Sequence, residues 1–136
     1  MARTAFDTGF LVKYLAGHPV AREIFIKVMS GTERPVLPSP VYFELETLVL
    51  RGKILREKWS KFREIIRDLT EFYPLDEKAC LQAARLKHTF GLSSVDAMIA
   101  GIALAGYCKV LLTTDRASLA NRLRHAKIEL KIKVVL

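Results

Sequence analysis

From Val95 to Cys108 the chain runs Val-Asp-Ala-Met-Ile-Ala-Gly-Ile-Ala-Leu-Ala-Gly-Tyr-Cys, and Asp96 is its only charged residue. A helix this apolar has no face to give to water, so it must be covered by other elements. The run from Ala97 to Cys108 falls well short of the roughly 20 residues that span a bilayer. It therefore belongs inside a folded domain. Its one carboxylate must then be neutralised, hydrogen-bonded or bound to a cation.

Short apolar segments alternate with helical ones around this helix. Thr4-Ala5-Phe6 predicts a strand ending at Asp7-Thr8-Gly9, before a helix marked by Phe10, Leu11, Tyr14 and Leu15. Gly17-His18-Pro19 breaks that helix, and a second runs from about Val20 to Met29. Pro35 to Pro38 predicts a second strand. Ser39-Pro40 reads as an N-cap followed by proline at the first helical position, opening a helix to about Arg51. Leu55, Trp59, Phe62, Ile66 and Leu69 then recur at helical spacing and form one apolar seam. Glu71 to Leu75 predicts a third strand, and Asp76 caps a helix that reaches about His88. Ser93-Ser94 opens the apolar helix, followed by the strand Val110 to Thr113 and then Asp115. Lys127 to Val134 alternates charged and apolar residues, as an edge strand does. Strands alternating with helices define the α/β class: a parallel sheet covered by helices on both faces in three layers, with right-handed crossovers.

A length of 136 residues suits one domain with its own core, so residues 1–136 are expected to form a single unit. With 51% hydrophobic residues and no low-complexity tract, the whole chain is expected to fold. Asp7 falls where a signal peptide would need an unbroken apolar core, so a soluble cytoplasmic protein without membrane association is expected. Cys80, Cys108, His18, His88 and His125 lack the spacing of zinc ligands. The net charge of +8 favours a polyanionic partner such as nucleic acid.

In open parallel sheets, sites form outside the carboxyl ends of the strands. Asp7 and Asp115 sit at two such ends, and Asp96 lies in the first turn of the helix feeding the Asp115 strand. Glu44 and Glu46 flank the apolar arc of their helix on opposite sides, and periodicity does not choose between them. Each acid alone has a plainer role. Asp7 and Asp115 can cap the helices after them, and Ser93-x-x-Asp96 has the form of a capping box. Four converging carboxylates, however, repel one another unless a cation sits among them. Oxygen-only ligation points to Mg²⁺ or Mn²⁺.

With Asp7-Thr8, Glu44-Leu45, Asp96-Ala97 and Thr113-Thr114-Asp115 in this order, the chain resembles the PIN-domain ribonucleases, and most closely the VapC-type toxins of toxin-antitoxin pairs. The resemblance favours Glu44 over Glu46. It implies a sheet of about five short parallel strands, with Asp7, Glu44, Asp96 and Asp115 as catalytic and metal-binding residues around one or two Mg²⁺ or Mn²⁺ ions. Many members carry a further Asp two residues after the last acid, whereas here Arg116, Ala117 and Ser118 follow Asp115, so one-metal and two-metal variants both stay open.

Such a site implies a metal-dependent endoribonuclease, with Asp7, Asp96 and Asp115 holding metal, Glu44 orienting or deprotonating water, and Thr8 and Thr113 steadying the carboxylates. Arg51, Lys53, Arg56, Arg116, Arg122 or Arg124 would contact RNA phosphates. The seam of Leu55, Trp59, Phe62, Ile66 and Leu69 has two readings. It packs only on its own sheet, or, as the resemblance implies, helices here form a hydrophobic groove for a small antitoxin in a domain that pairs as a homodimer. Trp59 is then the residue to watch, because exposed Trp is enriched at binding hot spots. A nuclease of RNA maturation would share this site. A phospho-accepting signalling module is the alternative from another class, but Phe6-Asp7-Thr8 lacks its paired acids. A silent RNA-binding domain would not need all four.

Overall fold

The computed structural model describes residues 2–135. Strand β1 (Arg3–Phe6) forms the middle of a five-stranded parallel sheet with β2 (Arg34–Pro38), β3 (Glu71–Tyr73), β4 (Val110–Thr113) and β5 (Lys131–Val134), in the order β3-β2-β1-β4-β5. The α/β fold with about five short strands is as expected. The chain builds outward from β1 to β3 on one side, then crosses to β4 and β5 on the other. Its topological switch point therefore lies between β1 and β4, where Phe6 pairs with Leu112.

Helices α1 (Thr8–Leu15), α2 (Pro19–Lys27), α3 (Ser39–Leu50), α4 (Arg56–Leu69), α5 (Glu77–Phe90) and α6 (Ser94–Ala105) connect the strands. Short π-helical turns follow α2 at Val28–Thr32 and β4 at Arg116–Ala120. The first of these is closed by Gly31 at φ 98°, a left-handed conformation that suits glycine. Helix α6 is the apolar segment, and Ala97, Ile99, Ala100, Ile102 and Ala103 are buried. At Gly101 a Cβ would fall 2.6 Å from the Ala83 backbone nitrogen, so glycine is what lets α6 lie directly against α5. No helix among the described residues is long and apolar enough to cross a membrane.

Three expectations need correction. Pro38 occupies the N-cap of α3 and Ser39 is already helical, because β2 keeps its ladder as far as Pro38, opposite Tyr73. Pro40 is still tolerated in the first turn, where its missing N–H has no partner to lose. Strand β5 starts only at Lys131, since its single neighbour β4 begins at Val110, the residue facing Lys131, and earlier alternation finds nothing to pair with.

The third concerns Trp59, which is fully buried rather than exposed. Aromatic residues of α1, α2 and α3 fold over the α4 seam: Tyr14 of α1 stacks on Phe25 of α2 at 4.1 Å, Phe62 lies 5.9 Å from Phe25, and Trp59 packs edge-on to Tyr42 of α3 at 5.3 Å. Trp59, Phe62 and Ile66 thus belong to the core. Leu55, Ile65 and Leu69 remain outside.

Candidate functional site

Asp7 is the first residue past β1. Its backbone N–H extends the ladder to Leu112 O (2.8 Å), and its side chain caps α1 by accepting from Thr8 N at 2.7 Å. The other carboxylate oxygen accepts from the buried Thr113 hydroxyl at 2.5 Å. Thr113 also accepts from Asp115 N at 2.9 Å, so one hydroxyl fastens the end of β1 to the chain leaving β4. Asp115 caps the following turn through Ser118 N (2.9 Å).

Helix α3 follows β2, the other neighbour of β1, and turns Glu44 toward this edge, where the Thr8 hydroxyl donates to it. Glu46 points elsewhere. It accepts from the Trp59 indole N–H and lies 3.6 Å from Arg56, so the ambiguity left by periodicity resolves in favour of Glu44. Ser93 caps α6 by accepting from Asp96 N at 3.3 Å, leaving the half-buried Asp96 carboxylate to reach Ser118 Oγ at 2.8 Å. The same Ser118 hydroxyl meets Asp115. Asp96 therefore reaches the edge formed by Asp7 and Asp115, although α6 starts far from either strand in sequence.

The electrostatics agree with this convergence. Burial pushes the Asp7 carboxyl from its ordinary value up to about 6, with the neighbouring Asp96 and Glu44 charges adding to the rise and the Thr113 and Thr8 donors opposing it. Of the four acids Asp7 alone is buried, at 5% exposure, so it feels the missing solvent most. No buried side-chain polar atom among the described residues lacks a hydrogen-bond partner.

The acids are linked by hydroxyls rather than drawn into a cage. Among the described residues no three His, Cys, Asp or Glu side chains are gathered closely enough to hold one ion. The donor chemistry nevertheless fits a hard divalent cation: the groups are all oxygens, with no thiolate or imidazole between them, and the mutual repulsion felt at Asp7 is what a cation offsets. Cys80 is exposed and Cys108 is buried, and both are free thiols. Arg51, Lys53, Arg56, Arg116, Arg122 and Arg124 are all exposed, with Arg56 3.6 Å from Glu46 and Arg122 donating to Phe90 O at 3.5 Å.

Thr8 and Thr113 hold carboxylates as their positions in sequence suggest. Ser118 is the residue that sequence reasoning missed. The only signal for it is the spacing Asp115-x-x-Ser118, which reads as an ordinary capping turn and gives no hint of Asp96.

Four acids brought together at the switch point of a five-stranded parallel sheet define a recognisable class. A PIN-domain family model matches residues 5–124, and the chain belongs to that family. Within it, the solved structures that resemble this chain include toxin-antitoxin proteins. VapBC of Salmonella typhimurium, solved with DNA, superposes with a TM-score of 0.77 at 18% identity, covering 98% of this chain and 98% of that one. VapBC2 of Rickettsia felis, bound to a promoter DNA fragment, gives 0.76 at 18% identity over 96% and 98%. VapC20 of Mycobacterium tuberculosis, described as a Sarcin-Ricin loop cleaving toxin, gives 0.67 at 16% identity over 94% and 98%. At these identities the likeness is one of fold. No curated protein matches the chain.

Proposed function

We propose that this protein is a divalent-metal-dependent endoribonuclease acting as the toxin of a toxin-antitoxin pair. The observation that carries the proposal is the meeting of Asp7, Glu44, Asp96 and Asp115 at one sheet edge of a PIN-family chain. The toxin-antitoxin character of the resembling structures supports the biological role, and the net charge of +8 suits an RNA substrate.

Asp7, Asp96 and Asp115 would hold one or two Mg²⁺ or Mn²⁺ ions. A bound ion supplies an activated water and charge neutralisation on the phosphate and the leaving alkoxide. The chain supplies the rest. Glu44, on α3 and steadied by Thr8, would orient the attacking water or take its proton. Thr113 fixes the Asp7 carboxylate and so fixes where negative charge is presented. Exposed Arg116, directly after Asp115, is suited to a phosphate contact. A small antitoxin and a second copy of the chain are the proposed protein partners, in the cytoplasm. Leu55, Ile65 and Leu69 of the α4 region, rather than Trp59, are apolar residues available to them.

The test is cleavage of a long single-stranded RNA with Mg²⁺ or Mn²⁺ by wild type, Asp7→Asn and Asp96→Asn. Loss of cleavage in both variants and in EDTA is expected. Activity that survives all three treatments refutes a metal nuclease.

A further inference from the structure

Among the described residues, Ser118 is the one whose side chain meets the carboxylates of two of the four acids. Its Oγ lies 2.8 Å from Asp96 Oδ2 and is hydrogen-bonded to Asp115 Oδ2, while its N–H donates to Asp115 Oδ1 at 2.9 Å. The bonds to Asp115 belong to a capping turn and would form in any Asp-x-x-Ser sequence. The bond to Asp96 does not. It joins residues 22 apart in sequence and links the first turn of α6 to the chain leaving β4.

A hydroxyl carries one proton and so donates to only one carboxylate at a time. Toward the other it turns a lone pair. Three oxygens, from Asp96, Asp115 and Ser118, therefore crowd together with a single hydroxyl proton among them. That is an electron-rich cluster of the kind a small hard cation completes, and a Ser hydroxyl is a suitable Mg²⁺ ligand beside carboxylates. After Asp115 the chain offers no further acid in this turn, which runs Arg116-Ala117-Ser118-Leu119-Ala120, so Ser118 is the remaining oxygen donor there.

We propose that Ser118 is a positioning residue of this site: its hydroxyl aligns the carboxylates of Asp96 and Asp115 and adds a further oxygen that raises the affinity for a divalent cation. The inference rests on the reading of the four acids as a metal site.

The experiment is calorimetric titration of the full chain with Mn²⁺, without RNA. Ser118→Ala should weaken Mn²⁺ binding by about tenfold or more, as loss of a supporting hydrogen bond at a metal site does. In an Asp96→Asn background the same substitution should cost much less, because the residue it acts through is already altered. Ser118→Thr against Ser118→Val separates the hydroxyl from folding, since the two side chains share a shape and differ in the oxygen. Threonine should bind Mn²⁺ like wild type, and valine should bind like alanine. Equal affinity of the threonine and valine variants overturns the role of Ser118 while leaving the metal site standing. Absence of Mn²⁺ binding by wild type itself overturns the metal site, and this inference with it.

Discussion

Removing the charge of Asp7 should stabilise the metal-free protein at neutral pH while abolishing its activity. The rise of the Asp7 carboxyl from 3.8 to about 6 corresponds to about 3 kcal/mol of differential stability. Its sign follows from proton binding. Below about pH 4 the carboxyl is protonated in both folded and unfolded chains, and its contribution is fully favourable. Between pH 4 and 6 the unfolded chain releases the proton first, so folding stability falls as pH rises, and above pH 6 the whole amount is lost. Asparagine cannot ionise and escapes this loss. It keeps an acceptor for Thr8 N but must rearrange its bond with Thr113, which costs about 1 kcal/mol. A net gain of about 2 kcal/mol remains above pH 6, equivalent to roughly 6–8 °C in Tm for a chain of this size. Thermal melts of wild type and Asp7→Asn in EDTA between pH 3.5 and 8 measure it. The difference between the two should be about −1 kcal/mol at the acid end, roughly 3–4 °C in Tm, rise through zero between pH 4 and 6, and then level off. Saturating Mn²⁺ should narrow or invert it, because the cation stabilises the fold that retains its ligands. A difference that stays flat with pH, or an asparagine variant less stable than wild type at pH 7.5 in EDTA, would refute the account of Asp7 as a desolvated carboxylate.

The two glutamates of α3 should separate by assay. Glu44→Gln should lose RNA cleavage with little change in Tm, whereas Glu46→Ala leaves the buried Trp59 indole N–H without its partner and should lower stability by about 1–3 kcal/mol with cleavage per folded molecule retained. Gly101→Ala should be destabilising by about 1–3 kcal/mol despite alanine's better helix propensity, since the added Cβ meets Ala83 backbone atoms at 2.6 and 2.8 Å that cannot rotate away; an unchanged Tm would show that α5 and α6 separate freely. RNA affinity, measured by filter binding to the inactive Asp7→Asn variant, should fall linearly on a log–log plot against salt between 50 and 200 mM, at roughly the slope set by the phosphates contacted. A salt-independent affinity would remove the basic surface from the recognition scheme.

Where the sequence was legible, it was legible because one local signal sufficed. The junctions at Asp7 and Asp115 follow from apolar runs that stop at a carboxylate, and the sheet class follows from their alternation with helices. What could not be read depends on a neighbour distant in the chain. Trp59 occupies the same seam whether α4 is covered or left open, and only the packing of Tyr42 and Glu46 of α3 against its indole decides it. The choice between Glu44 and Glu46 is likewise made by what each finds, Thr8 on one side and Trp59 on the other. Ser118 was invisible for the same reason, since its second partner lies on α6.

Helix capping and service in the site look like competing roles for Asp7 and Asp115 when each is considered alone, yet the geometry makes them one. Each carboxylate has two oxygens. Asp7 gives Oδ1 to Thr8 N and keeps Oδ2 for Thr113, while Asp115 gives Oδ1 to Ser118 N and keeps Oδ2 for the Ser118 hydroxyl. The cap thus fixes the rotamer, and the fixed rotamer directs the second oxygen to the site. A carboxylate free of the backbone would lose side-chain entropy on taking up that orientation, a loss that the capping bond has already met in folding. Asp96 shows the complementary solution. Its cap is made by Ser93 through the backbone N–H, which frees both carboxylate oxygens and leaves Ser118 to orient one of them. The lone charge of an otherwise apolar helix is therefore held from outside its own helix, by a residue that arrives from the far side of the switch point.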